Sequence, residues 1–271
     1  MLTRLLGSIV FIMSLGLCAQ AHERVRIVTE PFPPYFSPEL PHNGWLAHVV
    51  HEAFSLQDID SNVSYTLWSR ALKNSERHKN VALLGSYKTP SRVQRYFFSC
   101  QIAQTSTGFF RNRQSSKNFN GNVAMLNNSI VVTGRGYATD IDMLKGLNTQ
   151  ILEVPEIIKA IELLANKRVD WVLGSKEVTE FYIKQSEYAD LIEFDAPELE
   201  KSSLHLVFSR DFKENKDLLK HFHQGLKLLI SSGRINEILS LHGFNELQQQ
   251  EYVQQLKQTL YDTASCTGLP E

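Results

Sequence analysis

The run Val25-Arg26-Ile27-Val28-Thr29-Glu30-Pro31-Phe32-Pro33-Pro34-Tyr35 decides how the rest of the chain is read. Its first residues form a short alternating segment suited to a sheet. The prolines at 31, 33 and 34 lock φ and remove amide donors, which forbids both helix and sheet interior. The run is therefore a strand that ends in a stiff loop. Outward from it, Trp45, Leu46, Val49, Val50, Ala53 and Leu56 recur at helical spacing. Val63 to Leu67 reads as the next strand, Arg70 to Glu76 as a short helix, and Val81-Ala82-Leu83-Leu84 as a buried strand closed by Gly85-Ser86. Strands alternating with helices imply a parallel sheet.

Ile102 to Phe110 reads as a long extended crossing, after which the rhythm restarts. Ser129 to Val132 is a strand and Gly134-Arg135-Gly136 a tight loop; Thr139 then caps a helix over Asp140 to Leu147, with Asp142 three residues on as in a capping box. Ile151 to Val154 is a strand, Pro155 opens a helix that Asn166 stops, and Val169 to Leu173 is a buried strand closed by Gly174-Ser175. The two strands closed by Gly-Ser echo one another and imply two similar α/β units. Ser203 to Phe208 is a second extended segment, followed by helices over Leu218 to Ser231 and Arg234 to Leu241 and by a glutamine-rich tail helix over Glu246 to Leu260. Two extended segments bracketing the second unit make a two-strand hinge. The expected division is a leader over 1–21, lobe one over 22–104 and 205–245, lobe two over 105–204, and a tail over 246–271.

Arg4, the apolar stretch Leu5 to Leu17 and Ala19-Gln20-Ala21 have the pattern of a cleavable export signal, with His22 as the mature N-terminus. The apolar stretch is too short for a membrane span, which needs roughly 20 residues. Cys18 suggests a lipoprotein as an alternative, but Leu17 is larger than the residue that normally precedes such a cysteine. The expected location is the periplasm. There Cys100 and Cys266 either pair or remain as two thiols. A net charge of −1 with 42 % hydrophobic residues describes a globular chain with no basic field for nucleic acid. No metal or cofactor is expected, because no cysteine or histidine spacing matches a zinc site. Gly-x-Ser-x-Gly and His-Glu-x-x-His are also absent from the sequence.

Ligands of open parallel sheets bind at the carboxyl ends of strands. That rule selects the loops Glu30 to Tyr35, Gly85 to Arg92, Gly134 to Thr139 and Gly174 to Lys176. Lobe one then offers Glu30, Phe32, Tyr35, Trp68, Arg70, Ser86, Tyr87 and Arg92, a set in which a guanidinium and aromatic walls suit a small anion. Lobe two offers Gly136 and Tyr137 at the start of the expected helix, where free amides of Gly136, Tyr137 and Ala138 would favour negative charge. Two glycines before a helix are by themselves a weak signal.

Thr29 to Tyr35, Trp68-Ser69-Arg70-Ala71, Gly85 to Arg92, Phe98-Ser99, Arg168-Val169-Asp170, Gly233-Arg234-Ile235 and His242-Gly243 occur in an order and spacing that resemble family 3 periplasmic solute-binding proteins. The resemblance spans about Arg24 to Phe244. It implies a type II periplasmic-binding-protein (Venus-flytrap) fold in the α/β class that closes over a small molecule and usually feeds the permease of an ABC importer, often for polar amino acids. It places the ligand-carboxylate arginine on Arg92, the aromatic wall on Phe32 and Trp68, and the helix-start loop on Gly136 to Ala138.

Two departures stand out. Ser175 occupies the place of the aspartate that pairs with an α-ammonium group, so no charge is available there to offset a buried cation, and Tyr137-Ala138 replaces small hydroxyl residues. The expected function is binding of a small polar or anionic solute by a monomer, without catalysis. The alternatives are a sensor input to a membrane receptor and, with Glu30 as the nominated acid or base, a dehydratase-like enzyme on the same fold.

Overall fold

A computed structural model describes residues 23–137, 144 and 146–261. The expected leader, the cap and most of the helix at 139–147, and Cys266 lie outside these residues. The first unit runs β1 (Arg24–Thr29), α1 (Trp45–Ser55), β2 (Asp60–Tyr65), α2 (Trp68–Arg77), β3 (Val81–Tyr87), α3 (Pro90–Arg95) and β4 (Tyr96–Phe98). The second contains β5 (Ala103–Asn112), β6 (Ile130–Gly134), β7 (Gln150–Val154), α4 (Ile157–Ala165), β8 (Trp171–Ser175) and α5 (Lys176–Lys184). The chain closes with β9 (Ile192–Ser209), α6 (Asn215–Ser231), α7 (Arg234–Leu241) and α8 (Glu246–Tyr261).

All nine strands join one sheet in the order β2-β1-β3-β9-β5-β8-β6-β7, with β4 also on β9. Each half repeats one pattern: β1 lies parallel between β2 and β3, and β6 lies parallel between β7 and β8. A long antiparallel strand then borders each trio, β9 beside β3 and β5 beside β8. The two strands closed by Gly-Ser, β3 and β8, therefore hold equivalent places, as the echo in the sequence implied.

The halves meet through the β5/β9 pair. Glu200 to Leu204 pair with Ala103 to Thr107, and the carboxyl end of β9 continues along β3. The register shifts at Gly108, whose missing side chain leaves room for the Phe194 ring. Separate apolar clusters cover the two faces of each half: Leu46, Phe54, Phe222 and Leu226 against Val28, Leu83 and Val207 in the first, Val132, Ile161 and Leu164 against Phe109, Val131 and Trp171 in the second. Burying two faces per half-sheet explains why the β3 and β8 sequences are continuous apolar runs instead of alternating ones.

Helix α6 approaches α1 so closely that a Cβ on Gly225 would lie 1.8 Å from the Ala53 carbonyl oxygen. The tail helix α8 packs on the first half through Leu256 and Leu260, and the Tyr252 hydroxyl donates to the Ile102 carbonyl (3.0 Å) just before β5. Cys100, fully buried at the same junction, is disulfide-bonded, with Cys266 outside the described residues. No helix among the described residues is long and apolar enough to cross a membrane.

Candidate functional site

The carboxyl ends of β1 and β3 place their loops against the turn that follows β6. Thr29 fastens the two first-half strands there by donating to the Leu84 carbonyl (2.9 Å). Gly85, at φ 85°, lets β3 pass beneath the Phe36 ring, which a Cβ would meet at 2.5 Å. Thr89 caps α3 by accepting from the Arg92 amide, and Pro90 supplies a preset φ at the first helical position. This short helix directs Arg92 inward, where it is only 5 % exposed.

Arg92 meets the second half there. Its Nη2 donates to the Gly136 carbonyl (3.1 Å), its Nη1 to the Tyr87 carbonyl (3.4 Å), and the guanidinium lies 5.3 Å from the Trp68 ring centroid. Trp68, the first residue of α2, donates its Nε1 proton to the same Gly136 oxygen at 3.0 Å. Two donors from the first half thus converge on one carbonyl of the second. Burial pulls the Arg92 pKa down to about 10, so the group stays charged at neutral pH.

Tyr137 follows with its ring over Gly134 and packed against the first-half cluster that contains Trp68, Val28 and Leu83, and its hydroxyl hydrogen-bonds with Glu30. Burial pushes the Glu30 carboxyl up to about 8, against the opposing effects of that hydrogen bond and one from the Trp68 amide; repulsion from Glu156 raises it further. Burial and Glu30 together hold the Tyr137 phenol well above its usual range. At neutral pH the pair is therefore uncharged.

Glu30 and Tyr137 form a partition. On its inner side lies a gap of about 330 Å³, open mouth included, lined mainly by Phe32, Phe36, Trp68, Tyr87 and Arg92. On its outer side a wider cleft of about 640 Å³ runs between Tyr65, Thr66 and Leu67 of the first half and Glu156, Ile157 and Tyr182 of the second.

Of the residues nominated from sequence, Glu30, Phe32, Trp68, Tyr87, Arg92 and Tyr137 meet at the inner gap, with the Gly136 carbonyl on Arg92. The remaining four lie elsewhere. Arg70 is exposed. Tyr35 donates its hydroxyl to the Gln104 carbonyl (2.7 Å) at the hinge, and Ser86, fully buried, donates to the Tyr87 carbonyl. Ser175 caps α5 by accepting from the Val178 amide and hydrogen-bonds with Thr105 and Glu177. Glu177 in turn accepts from the Ser106 amide and the Thr105 hydroxyl, so this polar knot fastens α5 to β5.

The expectation of a free amide needs correction at Tyr137. The Tyr137 amide donates to the Gly134 carbonyl (3.1 Å), which closes a turn that Gly136 permits at φ 78°; Ala138 lies outside the described residues. It is this loop's carbonyl that faces the guanidinium. Sequence reading also missed Phe36, one position beyond the loop it selected, and Glu156 and Tyr182, for which it offered no signal. Among the described residues no group of three metal-ligating side chains is placed to hold an ion.

The sequence matches no family model and no curated protein. Solved structures do match in fold. A mutant of ArgBP from T. maritima superposes with TM-score 0.68 at 14 % identity, over 80 % of this chain and 93 % of that one. A histidine kinase sensor domain with similarity to periplasmic binding proteins gives 0.69 at 14 %, over 81 % and 95 %. The GluR0 ligand-binding core from Nostoc punctiforme, in complex with (L)-glutamate, gives 0.63 at 21 %, over 79 % and 96 %. The repeated half-sheets, the paired crossing strands and these superpositions agree: the chain has the type II periplasmic-binding-protein fold, two α/β lobes joined by β5 and β9.

Proposed function

We propose that this protein binds a small carboxylate-bearing solute between its lobes, after export through the 1–21 leader, and delivers it to the permease of an ABC importer without altering it. The domain division expected from the sequence serves this reading: lobe one (22–104 and 205–245) carries Arg92 and Trp68, and lobe two (105–204) closes on them. One observation carries the reading. A charged, buried guanidinium and an indole N–H from one lobe aim at the same point in the cleft, where one neutral peptide oxygen, that of Gly136, now serves both and a carboxylate would offset their desolvation more fully. Likeness to an amino-acid transporter's substrate-binding protein (TM-score 0.67, 15 % identity) supports the importer reading. Likeness to the kinase sensor domain supports a second, in which the closed form reports to a membrane receptor.

The test is a thermal-shift screen of amino acids, polyamines and organic acids, followed by calorimetric titration of wild type and Arg92→Ala. Arg92→Ala should abolish binding while moving the thermal transition of the empty protein by only a few degrees. An unchanged dissociation constant removes Arg92 from the site. Adjacent genes for a permease and an ATPase would support delivery, whereas an adjacent gene for a signalling membrane protein would favour the receptor.

A further inference from the structure

We propose that the Gly136–Tyr137 segment is an internal competitor for the binding site, and that the solute displacing it is a small aromatic carboxylate without an amine. This rests on the reading of Arg92 as the anchor of a solute. The closed cleft already contains what such a solute would bring. The Gly136 oxygen takes the Arg92 and Trp68 donors at 3.1 and 3.0 Å, and the Tyr137 ring packs against the lobe-one cluster of Trp68, Val28 and Leu83 at the edge of the inner gap. The two donors that now share one oxygen would each find one on a carboxylate, a gain in charge-assisted bonding over a neutral peptide carbonyl.

Shape and charge narrow the class further. The inner gap is small and, apart from the displaced Tyr137, is walled by Phe32, Phe36, Trp68 and Tyr87, so a flat apolar body suits it. Among its lining residues Arg92 is the ionised group, since Glu30 is held neutral by burial. An ammonium entering there would have to draw the proton off Glu30 to find a counter-charge. Of the lobe-two carboxylates, Glu177 is committed to Ser106 and Thr105, and Glu156 lines the outer cleft beyond the Glu30–Tyr137 partition.

Competition has a quantitative signature. When empty protein closes on its own loop, the apparent affinity for solute falls by the fraction that remains open, and weakening the internal contacts restores it. Titrations of the purified protein would compare 3-phenylpropanoate with L-phenylalanine, which differ by the α-ammonium group, alongside benzoate and phenylacetate. At least one aryl carboxylate should bind about tenfold more tightly than L-phenylalanine. Tyr137→Ala should tighten it by about a further tenfold, and small-angle scattering should show the empty variant more extended than wild type. Tyr137→Phe, which keeps the ring and drops the hydroxyl, should fall between the two if the alanine variant proves poorly folded.

Equal or tighter binding of L-phenylalanine overturns the amine-free class, and so does Arg92-dependent binding of another solute with none by any aryl carboxylate. Unchanged or weaker binding in both tyrosine variants overturns the competitor. In each of these cases solute binding at Arg92 survives; it fails separately if nothing in the broad screen binds in an Arg92-dependent way.

Discussion

Replacing Glu30 by glutamine should change how stability depends on pH. Glu30 is 7 % exposed and lies between the Tyr137 hydroxyl, the Trp68 amide and the Glu156 carboxyl, with its own carboxyl moved from an ordinary 4.5 to about 8. An acid that the fold holds protonated binds more protons folded than unfolded between those two values. Its contribution is therefore complete below about pH 4.5 and is lost as pH rises through about 8. At about 1.4 kcal/mol per pH unit the displacement sets a ceiling of roughly 5 kcal/mol. Because Glu30 faces the cleft, parting of the lobes relieves some of the cost of its charge before unfolding, which leaves about 2–3 kcal/mol in the global transition. At roughly 2–4 °C per kcal/mol for a chain of this size, Glu30→Gln should melt about 4–12 °C above wild type at pH 8.5. At pH 5 the two should agree within about 1 kcal/mol, since glutamine can also hydrogen-bond to Tyr137. Calorimetry at pH 5, 6.5 and 8.5 measures both. Parallel pH profiles, or a variant less stable than wild type at pH 8.5, would refute the assignment of Glu30 as a buried neutral acid.

Three further outcomes are expected. Gly225→Ala must push α1 from α6, because its new methyl group would meet the Ala53 carbonyl; a loss of about 2–3 kcal/mol in urea unfolding is expected, and wild-type stability would show that the helices do not touch there. Ser175→Asp, instead of creating an ammonium site, should set a second carboxylate beside Glu177, now 3.2 Å from the serine hydroxyl. It should cost about 1–2 kcal/mol at pH 7 with partial recovery near pH 4, and enhanced binding of an amino acid would contradict this. Tyr252→Phe leaves the Ile102 carbonyl without its donor and should lower stability by about 1–2 kcal/mol, read by thermal unfolding; no change would mean that the tail helix is not fastened at the hinge.

The sequence was most legible where chemistry is local. The prolines after Val28 end β1 as expected, the Leu218 to Ser231 pattern lies within α6, and the glutamine-rich tail is helical to Tyr261. The beginning of β9 was missed although Ile192-Glu193-Phe194-Asp195 alternates, because Pro197 and the charged Glu198, Glu200 and Lys201 interrupt the pattern; pairing with β5 on both sides of that interruption makes it one strand. The same limit applies at the site. Ser175 stands at the expected strand end, yet its hydroxyl is claimed by a helix that begins at the next residue, and α5 itself went unread. Tyr137 was visible as a departure from the family pattern. That its ring crosses to the opposite lobe depends on contacts with Trp68 and Glu30 far away in the chain, which no local pattern encodes.

Strand β9 also bears on the order in which the polypeptide can assemble. Its residues Leu204 to Phe208 border β3 and therefore complete the sheet begun by the N-terminal unit, about a hundred positions after that unit has been synthesised. The intervening unit has its own β5, β6, β7 and β8 in one uninterrupted stretch, and Ile192 to Asp195 join it before Leu204 emerges. A nascent chain thus has the means to finish its middle before its beginning. Until the last third arrives, the edge of β3 stays exposed as a template for wrong pairing.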